Sequence, residues 1–207
     1  MNTENTYKRK SQNYFDTSAA GYDQYSDMGI RPPLLAGLLT QLAELPQPTS
    51  ILDVGCGTGE LLFQLQARTQ ATLAGLDIST KMLDVARQKL GESADLLQGD
   101  SESLPWPANR FELLCCTLSF HHYPNPRQAL AEMRRVLKPG GALLLADITI
   151  PAPARQLTNL ILPFLSTGDR HFYSQTEVFS LLTQAGFKVP AWHKIDGSTF
   201  LVSVRVP

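Results

Sequence analysis

The segment Ile51–Glu60 constrains this chain more than any other part of its sequence. It reads Ile-Leu-Asp-Val-Gly-Cys-Gly-Thr-Gly-Glu, an apolar run that ends in three alternating glycines. The pattern predicts a buried strand, a tight loop and a helix start, because glycine lets a backbone turn sharply and lie close to a ligand. A helix that opens after such a loop points its N–H groups at the bound molecule. A turn without a ligand is the alternative, but a simple turn does not need the backbone entropy that three glycines cost.

Acidic residues around the loop indicate which ligand it binds. Asp53 stands before the glycines, where a carboxylate would repel a pyrophosphate and attract an ammonium group. A ligand with an amino-acid end, a cationic sulfur and a ribose therefore fits better than NAD. Asp77 ends a second apolar stretch about 20 residues beyond the loop, where an acid accepts hydrogen bonds from ribose hydroxyls. The alternative for Asp77 is a helix cap before Ser79.

A third acid, Asp100, follows another apolar stretch. It is predicted to accept a hydrogen bond from an adenine amine, with the backbone N–H of Ser101 beside it. The alternative is an acid that merely solvates a loop. Since ligands of open α/β sheets bind beyond the carboxyl ends of the strands, Asp53, Asp77 and Asp100 are expected at one edge of the sheet.

Strands and helices are predicted to alternate, which implies a parallel sheet with helices on both faces. The predicted strands are Ser50–Val54, Thr72–Asp77, Ala94–Gln98, Phe111–Thr117, Ala142–Ile148, Lys188–Lys194 and Thr199–Val206. The predicted helices are Asn13–Tyr25, Arg31–Leu45, Thr58–Thr69, Ser79–Leu90, Pro126–Leu137 and Ser174–Ala185. Asp196-Gly197 is typical of a two-residue hairpin turn, which makes the last two strands antiparallel.

Composition excludes several classes of protein. The chain has 207 residues, 43% of them hydrophobic, and a net charge of −1, which indicates one globular domain without the basic surplus of a nucleic-acid binder. No apolar run reaches membrane-spanning length, and the polar N-terminus is unlike a signal peptide. The three cysteines are spaced neither for zinc nor for a disulfide framework, so a reducing, cytoplasmic location is expected. The chain is expected to be a monomer or a homodimer.

The single domain, residues 1–207, is predicted to have four parts. Residues 1–48 form a helical cap whose first 12 residues are frayed, and residues 49–150 form the ligand-binding core. Residues 151–173, which are longer than an ordinary loop, are expected to form a lid. Residues 174–207 form a helix and a hairpin. Ser174 and Glu177 have the spacing of a capping box, and Gly140 and Gly186 are expected to end helices.

Several ordered motifs together resemble class I S-adenosylmethionine-dependent methyltransferases of the small-molecule branch related to ubiquinone and menaquinone biosynthesis. They are the Asp53–Gly59 loop, Asp77-Ile78, Asp100-Ser101, Leu104-Pro105-Trp106 with Arg110-Phe111-Glu112, Phe120-His121-His122, Leu137-Lys138-Pro139-Gly140-Gly141, the N-terminal Tyr14-Phe15-Asp16 with Ala20-Gly21-Tyr22-Asp23, and Leu181-Leu182 with Ala185-Gly186-Phe187. The resemblance implies an α/β, Rossmann-like fold with seven mostly parallel strands and an antiparallel C-terminal hairpin. It implies S-adenosyl-L-methionine as the cofactor and a small-molecule acceptor, without nucleic acid or membrane. Glu112 departs from the Asp that is common in the family.

The resemblance also implies a set of cofactor-binding residues. The set is Asp53, Gly55, Cys56, Gly57, Gly59, Asp77, Ile78, Met82, Asp100, Ser101, Thr117 and Tyr22. Met82, at helical spacing with other apolar residues, has a core role as its alternative. Tyr22 has helix packing as its alternative, whereas the resemblance lets the N-terminal helices close over the cofactor.

His121 and His122 are the candidate catalytic residues, since one imidazole near the acceptor would accept a proton from a hydroxyl or an acidic carbon. His121 is preferred because the resemblance places it closer to the strand end. A structural role is the alternative for both. No metal is expected, because no third ligand is nearby in the sequence.

Two other functions remain open at this stage. The first is a cofactor-binding protein without transferase activity, because methyl transfer requires no obligatory catalytic residue. The second is an NAD-dependent oxidoreductase, which is disfavoured by Asp53, by the Gly-x-Gly-x-Gly spacing and by the terminal hairpin.

Overall fold

The computed structural model describes residues 3–24 and 30–207. In this part of the chain, seven strands form one sheet in the order β3-β2-β1-β4-β5-β7-β6. The strands are β1 (Ser50–Val54), β2 (Thr72–Asp77), β3 (Ala94–Gln98), β4 (Phe111–Thr117), β5 (Leu137–Ile148), β6 (Ala191–Lys194) and β7 (Thr199–Arg205). β1 to β5 are parallel, and β7 is antiparallel to both β5 and β6. The order reverses at β1, between β2 and β4, where sheets of this kind bind their ligands.

Helices cover both faces of the sheet. They are α1 (Thr3–Ser18), α2 (Pro32–Ala43), α3 (Glu60–Gln66), α4 (Thr80–Leu90), α5 (Pro126–Val136), α6 (Ala154–Ile161) and α7 (Gln175–Gln184), with short 3₁₀ helices at Ala19–Gln24, Phe120–His122 and Leu162–Phe164. Buried leucines of α2, α3 and α4 pack in one apolar cluster with one face of the sheet. Buried residues of α5 and α7 pack in a second cluster with the other face. The predicted fold class is therefore confirmed.

The N-terminus differs from its prediction. A helix was expected from residue 13 and a frayed segment before it, whereas α1 already begins at Thr3. Tertiary contacts stabilise this polar segment: Lys8 forms ion pairs with Asp100 and Glu102. Local sequence patterns cannot predict such contacts, because the paired residues lie far apart in the chain. The predicted helix end at Tyr25 lies outside the described residues.

The C-terminal half differs at three boundaries. β5 begins at Leu137, so Gly140 lies within a strand instead of ending a helix. β6 begins only at Ala191, directly after Pro190, because proline has no N–H to donate to a sheet ladder. Residues 195–198 separate β6 from β7, so the two-residue turn was wrong; Asp196 accepts from the Ser198 N–H and closes a longer loop.

Two predicted terminal signals are confirmed. The Ser174 hydroxyl accepts from the Glu177 N–H, while the Glu177 carboxylate accepts from the Ser174 N–H, which is the complete capping box of α7. Gly186 follows Ala185, the C-cap residue of that helix, and has a φ of 83°, the left-handed conformation that glycine adopts without strain.

The close packing around Gly75 of β2 predicts that one added methyl group there destabilises the fold. A Cβ at Gly75 would lie 2.8–2.9 Å from the side chains of Leu96, Cys56 and Leu62. Gly75→Ala is therefore expected to lower the free energy of unfolding by roughly 1–3 kcal/mol, as overpacked cores do. Gly197→Ala is the matched control, because a Cβ there meets nothing within 4 Å. Urea unfolding of both variants tests this, and an equal effect at the two positions would contradict it.

Candidate active site

Three left-handed glycines shape the loop between β1 and α3. Gly55, Gly57 and Gly59 have φ values of 77°, 52° and 75°. The loop is fixed to β2, since the N–H groups of Gly55 and Cys56 both donate to the Leu76 carbonyl. A Cβ at Gly57 would point into open space, so the backbone there is exposed to a ligand. Gly59 instead packs against α4, where a Cβ would lie 2.9 Å from Leu90.

A cavity of about 350 Å³, called here the loop cavity, lies over this loop at the carboxyl ends of β1 and β4. Its walls come from the glycine loop, β4 and the N-terminal helices. The lining residues are Phe15, Tyr22, Asp23, Ile30, Arg31, Pro32, Asp53, Gly55, Cys56, Gly57, Thr58, Glu60, Asp77, Met82, Thr117, Leu118, Ser119 and His122. The structure thus brings together eight members of the predicted cofactor set, Tyr22 among them, around one space.

Two buried oxygens on the wall of the loop cavity have no hydrogen-bond partner among the described residues. They are Oδ1 of Asp53 and Oγ1 of Thr117. Such atoms cost free energy when they are left unpaired, so their presence marks a site for a ligand with N–H donors. Burial, and then the nearby Asp77 carboxylate, raises the pKa of Asp53 to about 8. An ammonium group of a bound molecule would supply both the donors and the missing positive charge.

Asp77 holds the glycine loop and also lines the loop cavity. Its Oδ2 accepts from the Gly57 N–H at 2.8 Å, and its Oδ1 accepts from the Ser79 N–H at 2.8 Å. Ser79 is the N-cap of α4, so Asp77 anchors the cap residue and does not cap the helix itself. Each Asp77 oxygen keeps a second lone pair. Burial raises the pKa of Asp77 to about 6, while these two N–H donors act in the opposite direction.

A smaller cavity of about 60 Å³, the side cavity, continues from the loop cavity past Asp77. Its walls include Ile78, Asp100 and Ser101, as the sequence predicted for the adenine end. The Asp100 carboxylate is already engaged: it pairs with Lys8 at 2.7 Å and accepts from the Glu102 N–H. The adenine role of Asp100 therefore stays a prediction.

The remaining predicted residues lie around the same space. Met82 is buried in α4 and lines the loop cavity, so its core and site roles coincide. Cys56 is a buried free thiol in the loop. Tyr22 lies on the 3₁₀ helix after α1, and its ring meets that of Phe15 edge to face at 6.1 Å. These placements agree with the predicted set without testing it.

The two histidines occupy different environments. The ring of His121 lies between Asp147, whose Oδ1 is 2.6 Å from Nδ1, and Asp169, whose Oδ1 is 3.3 Å from Nε2. Burial alone would lower the pKa of His121, but the two carboxylates raise it to about 10. Burial and the charge of His121 lower the pKa of His122 to about 3.

His122 borders the loop cavity, whereas His121 faces a third space, the histidine cavity, of about 300 Å³. The lining of that cavity is Tyr14, Phe15, Tyr22, Arg31, Leu118, His121, His122, Ile148, Thr167, Asp169, Ser198 and Thr199. The preference for His121 over His122, which rested on its place closer to the strand end, stays a prediction. The role of either histidine as a base stays a prediction.

Several residues that line the three cavities were not predicted from the sequence. Phe15 lines all three cavities, and its ring contacts His122 edge to face at 5.0 Å. Asp147, at the end of β5, orients His121, and the same alternation that placed the other acids at strand ends was a signal for it. Asp169 had no such signal, because only the fold brings residues 151–173 to β4.

Among the described residues, none of the helices combines the length and the apolar character needed to cross a membrane.

Comparisons with known proteins agree with this geometry. The profile of the methyltransferase domain family matches residues 52–145, from the glycine loop to β5. A demethylmenaquinone methyltransferase of Lactiplantibacillus plantarum is 30% identical over 214 residues, which cover 89% of this chain and 90% of that protein. A demethylmenaquinone methyltransferase of Deinococcus radiodurans is 40% identical over 109 residues. That match covers 51% of this chain and 45% of the relative, less than half of its length.

A solved structure shows the same fold over almost the whole chain. A SAM-dependent methyltransferase from Aquifex aeolicus superposes with a TM-score of 0.72 at 21% identity, covering 93% of this chain and 98% of that one.

The pKa of Asp53 predicts how stability changes with pH. Because this pKa is about 8 in the folded protein and ordinarily 3.8, ionised Asp53 increasingly destabilises the fold as pH rises between those values. Asp53→Asn removes this penalty, so the variant should gain stability over the original protein between about pH 5 and about pH 9. Urea unfolding without ligand measures the gain. Asp84→Asn, at an exposed position of α4, is the control; an equal pH-dependent gain there would contradict the assignment.

Proposed function

Because the chain belongs to the S-adenosylmethionine-dependent methyltransferase family, we propose that it transfers the methyl group to a small-molecule acceptor by direct in-line displacement. The expected enzyme class and cofactor are thereby confirmed, and the NAD-dependent alternative has no support. The acceptor, the residue roles and the displacement mechanism are the proposal.

The observation that carries the proposal is the pair of unpaired buried oxygens, Asp53 Oδ1 and Thr117 Oγ1, beside the glycine loop. The amino-acid end of S-adenosylmethionine matches them, since its ammonium group offers N–H donors and a positive charge. In this arrangement the ribose meets Asp77 in the loop cavity. The adenine then lies in the side cavity, near Ile78 and Ser101.

The histidine cavity is the proposed acceptor site. It shares Phe15, Tyr22 and His122 with the loop cavity, so an acceptor there would lie beside the cofactor. Tyr14, Phe15 and Tyr22 give it aromatic walls, which suit a ring-containing acceptor. The demethylmenaquinone methyltransferases among the relatives support an acceptor of this kind, a quinol or another phenolic ring.

Bound S-adenosylmethionine supplies a methyl group on a sulfonium, which is already a good leaving group. The residues of the chain then have to hold the acceptor atom in line with the methyl carbon and exclude water. Phe15 and Tyr22, on α1 and the 3₁₀ helix after it, close the cavities from above. A base is needed only for an acceptor that is protonated at the working pH.

Methyl transfer to a panel of acceptors tests the function itself. The protein is incubated with methyl-labelled S-adenosylmethionine and with quinols, phenols, amines or thiols, and label is measured in each acceptor. We expect the labelled methyl group on acceptors that offer a ring hydroxyl or a ring carbon. Tight binding of the cofactor with no transfer to any acceptor would favour a cofactor-binding protein without transferase activity instead.

Ligand-dependent stability tests the cofactor site. S-adenosylmethionine and S-adenosylhomocysteine are each expected to raise the melting temperature, and a ligand at 100 times its Kd adds about 2.7 kcal/mol. NAD should leave the melting temperature unchanged, because Asp53 would repel its pyrophosphate. A shift with NAD and none with the two sulfur ligands would overturn the proposed site.

Replacement of Asp77 tests the ribose contact. A hydrogen bond to a charged group contributes about 1.5–3 kcal/mol, so Asp77→Asn should weaken cofactor binding by about tenfold or more. Asparagine is preferred to alanine because Asp77 also anchors Gly57 and Ser79, and the amide keeps one acceptor for them. Calorimetry measures the affinity, with Asp84→Asn as the exposed control. Unchanged affinity in folded Asp77→Asn would leave Asp77 only as an anchor of Gly57 and Ser79.

A further inference from the structure

Three side chains that commonly bind metal ions meet at the wall of the histidine cavity. They are His121 and His122, after β4, and Asp169, from the segment 151–173. One ligand atom from each of the three side chains lies within 4.8 Å of the other two. The sequence predicted no metal because a third ligand was lacking, and the fold supplies it from 47 residues further along the chain.

Two of the distances are those of ligands that share one ion. Asp169 Oδ1 lies 3.3 Å from Nε2 of His121 and 3.3 Å from Nδ1 of His122. A zinc ion holds nitrogen and oxygen ligands at about 2.0–2.2 Å, which places neighbouring ligand atoms about 3.4 Å apart in a tetrahedral site.

His121 is oriented for a ligand by a second carboxylate. Its Nδ1 lies 2.6 Å from Oδ1 of Asp147, and its backbone N–H donates to Oδ2 of the same residue. When the Nε2 proton leaves on metal binding, the proton on Nδ1 stays with Asp147 and the Nε2 lone pair faces Asp169. Metal-binding histidines have this arrangement, in which a carboxylate fixes the tautomer and the ring.

His122 provides an independent observation. His122 is 8% exposed, and its Nδ1 has no hydrogen-bond partner in the described part of the chain, although Oδ1 of Asp169 lies 3.3 Å away. A proton on His121 would satisfy the contact between His121 and Asp169 and still leave this nitrogen unpaired. A cation among the three atoms would satisfy all of them.

Asp169 is held in place as a ligand requires. Its Oδ2 accepts from the Thr167 hydroxyl at 2.6 Å. The following N–H groups, of Arg170 and His171, both donate to the His121 carbonyl, at 2.8 and 3.1 Å. The segment 151–173 is therefore fixed by hydrogen bonds to the 3₁₀ helix that carries the histidines, so the three ligands are held next to one another.

We propose that His121, His122 and Asp169 bind one divalent transition-metal ion, whose open coordination position faces the histidine cavity and takes an oxygen atom of the methyl acceptor. Two imidazoles and one carboxylate suit zinc, manganese or iron(II) better than magnesium or calcium, which prefer oxygen ligands. The part about the acceptor rests on the proposed function, whereas metal binding does not.

Cobalt(II) is the probe for metal binding, because its visible absorption reports coordination. The full chain is stripped with a chelator and titrated with Co²⁺, and Zn²⁺ is then added in competition. We expect saturable binding of one ion per chain. His122→Ala and Asp169→Ala should each weaken it by at least about 100-fold, and Asp147→Asn, which removes an orienting group, by about 10–100-fold.

His171→Ala is the matched control, because this histidine lies near the cluster but pairs with Glu177 and should leave the titration unchanged. Circular dichroism checks that each variant is folded. Absence of saturable Co²⁺ binding by the unaltered chain would reject the site whatever the variants do. Equal binding by the unaltered chain, His122→Ala and Asp169→Ala would assign the ion to another place and also reject it.

The role toward the acceptor is read separately, by methyl transfer before and after addition of Zn²⁺ or Mn²⁺ to the stripped protein. Stimulation that is lost in Asp169→Ala supports it, and equal rates with and without metal would reject that half. Metal binding without any methyl transfer would count against the proposed function and leave the metal site standing.

Discussion

The hydrogen bond from the Gly57 N–H to the Asp77 carboxylate is the interaction on which the site depends. It joins the loop after β1 to the end of β2 and presents both the glycine backbone and the acid to one cavity. The Leu76 carbonyl holds the loop from the same strand end. Because strand order reverses at β1, nothing in the sheet covers this edge, and the space above it becomes the loop cavity.

The N-terminal helices close that space through polar contacts. Asp16 of α1 accepts from the Ser79 hydroxyl at 2.6 Å, so the helix is attached to the N-terminus of α4. Lys8 binds Asp100 on the side of the third strand, and Thr58 donates to Asp23 beside the glycine loop. Each contact joins the cap to a residue at the edge of the site. The cap is therefore positioned by the same strand ends and loops that would hold the ligand.

Much of the core was predictable, and the physical reason is local. β1, β2 and β3 end where the sequence predicted, because apolar runs, glycines and acids mark strand ends in any chain of this class. The capping box of α7 was predictable for the same reason, since its two partners are three residues apart. The helical start at Thr3 was not, because the ion pairs that stabilise it join Lys8 to acids that lie far along the chain, at Asp100 and Glu102.

The cluster of His121, His122 and Asp169 shows the same limit of prediction from local sequence within the site. Sequence reasoning found His121 and His122 from their place after β4, but their meaning depends on Asp147 and Asp169, which two other segments supply. Neighbours in sequence thus acquire opposite tendencies: carboxylates favour a charged His121, whereas burial beside that charge keeps His122 neutral. No pattern of adjacent residues contains this information, because it arises from packing between distant elements.

Both proposed ligands, S-adenosylmethionine and the metal ion, are cations. Among the described residues, unpaired buried acceptor atoms lie at each of their sites. Burial beside Asp77 raises the pKa of Asp53, so ionised Asp53 is costly in the empty site and a cationic ligand relieves that cost. Phe15 stands between the two places: it lines the loop cavity, and its ring meets His122 edge to face. An aromatic face attracts a sulfonium, while the low polarity of the ring keeps water from both sites. In the proposed complex, the site selects a positively charged cofactor because such a ligand removes the cost of keeping ionised Asp53 buried in the empty protein.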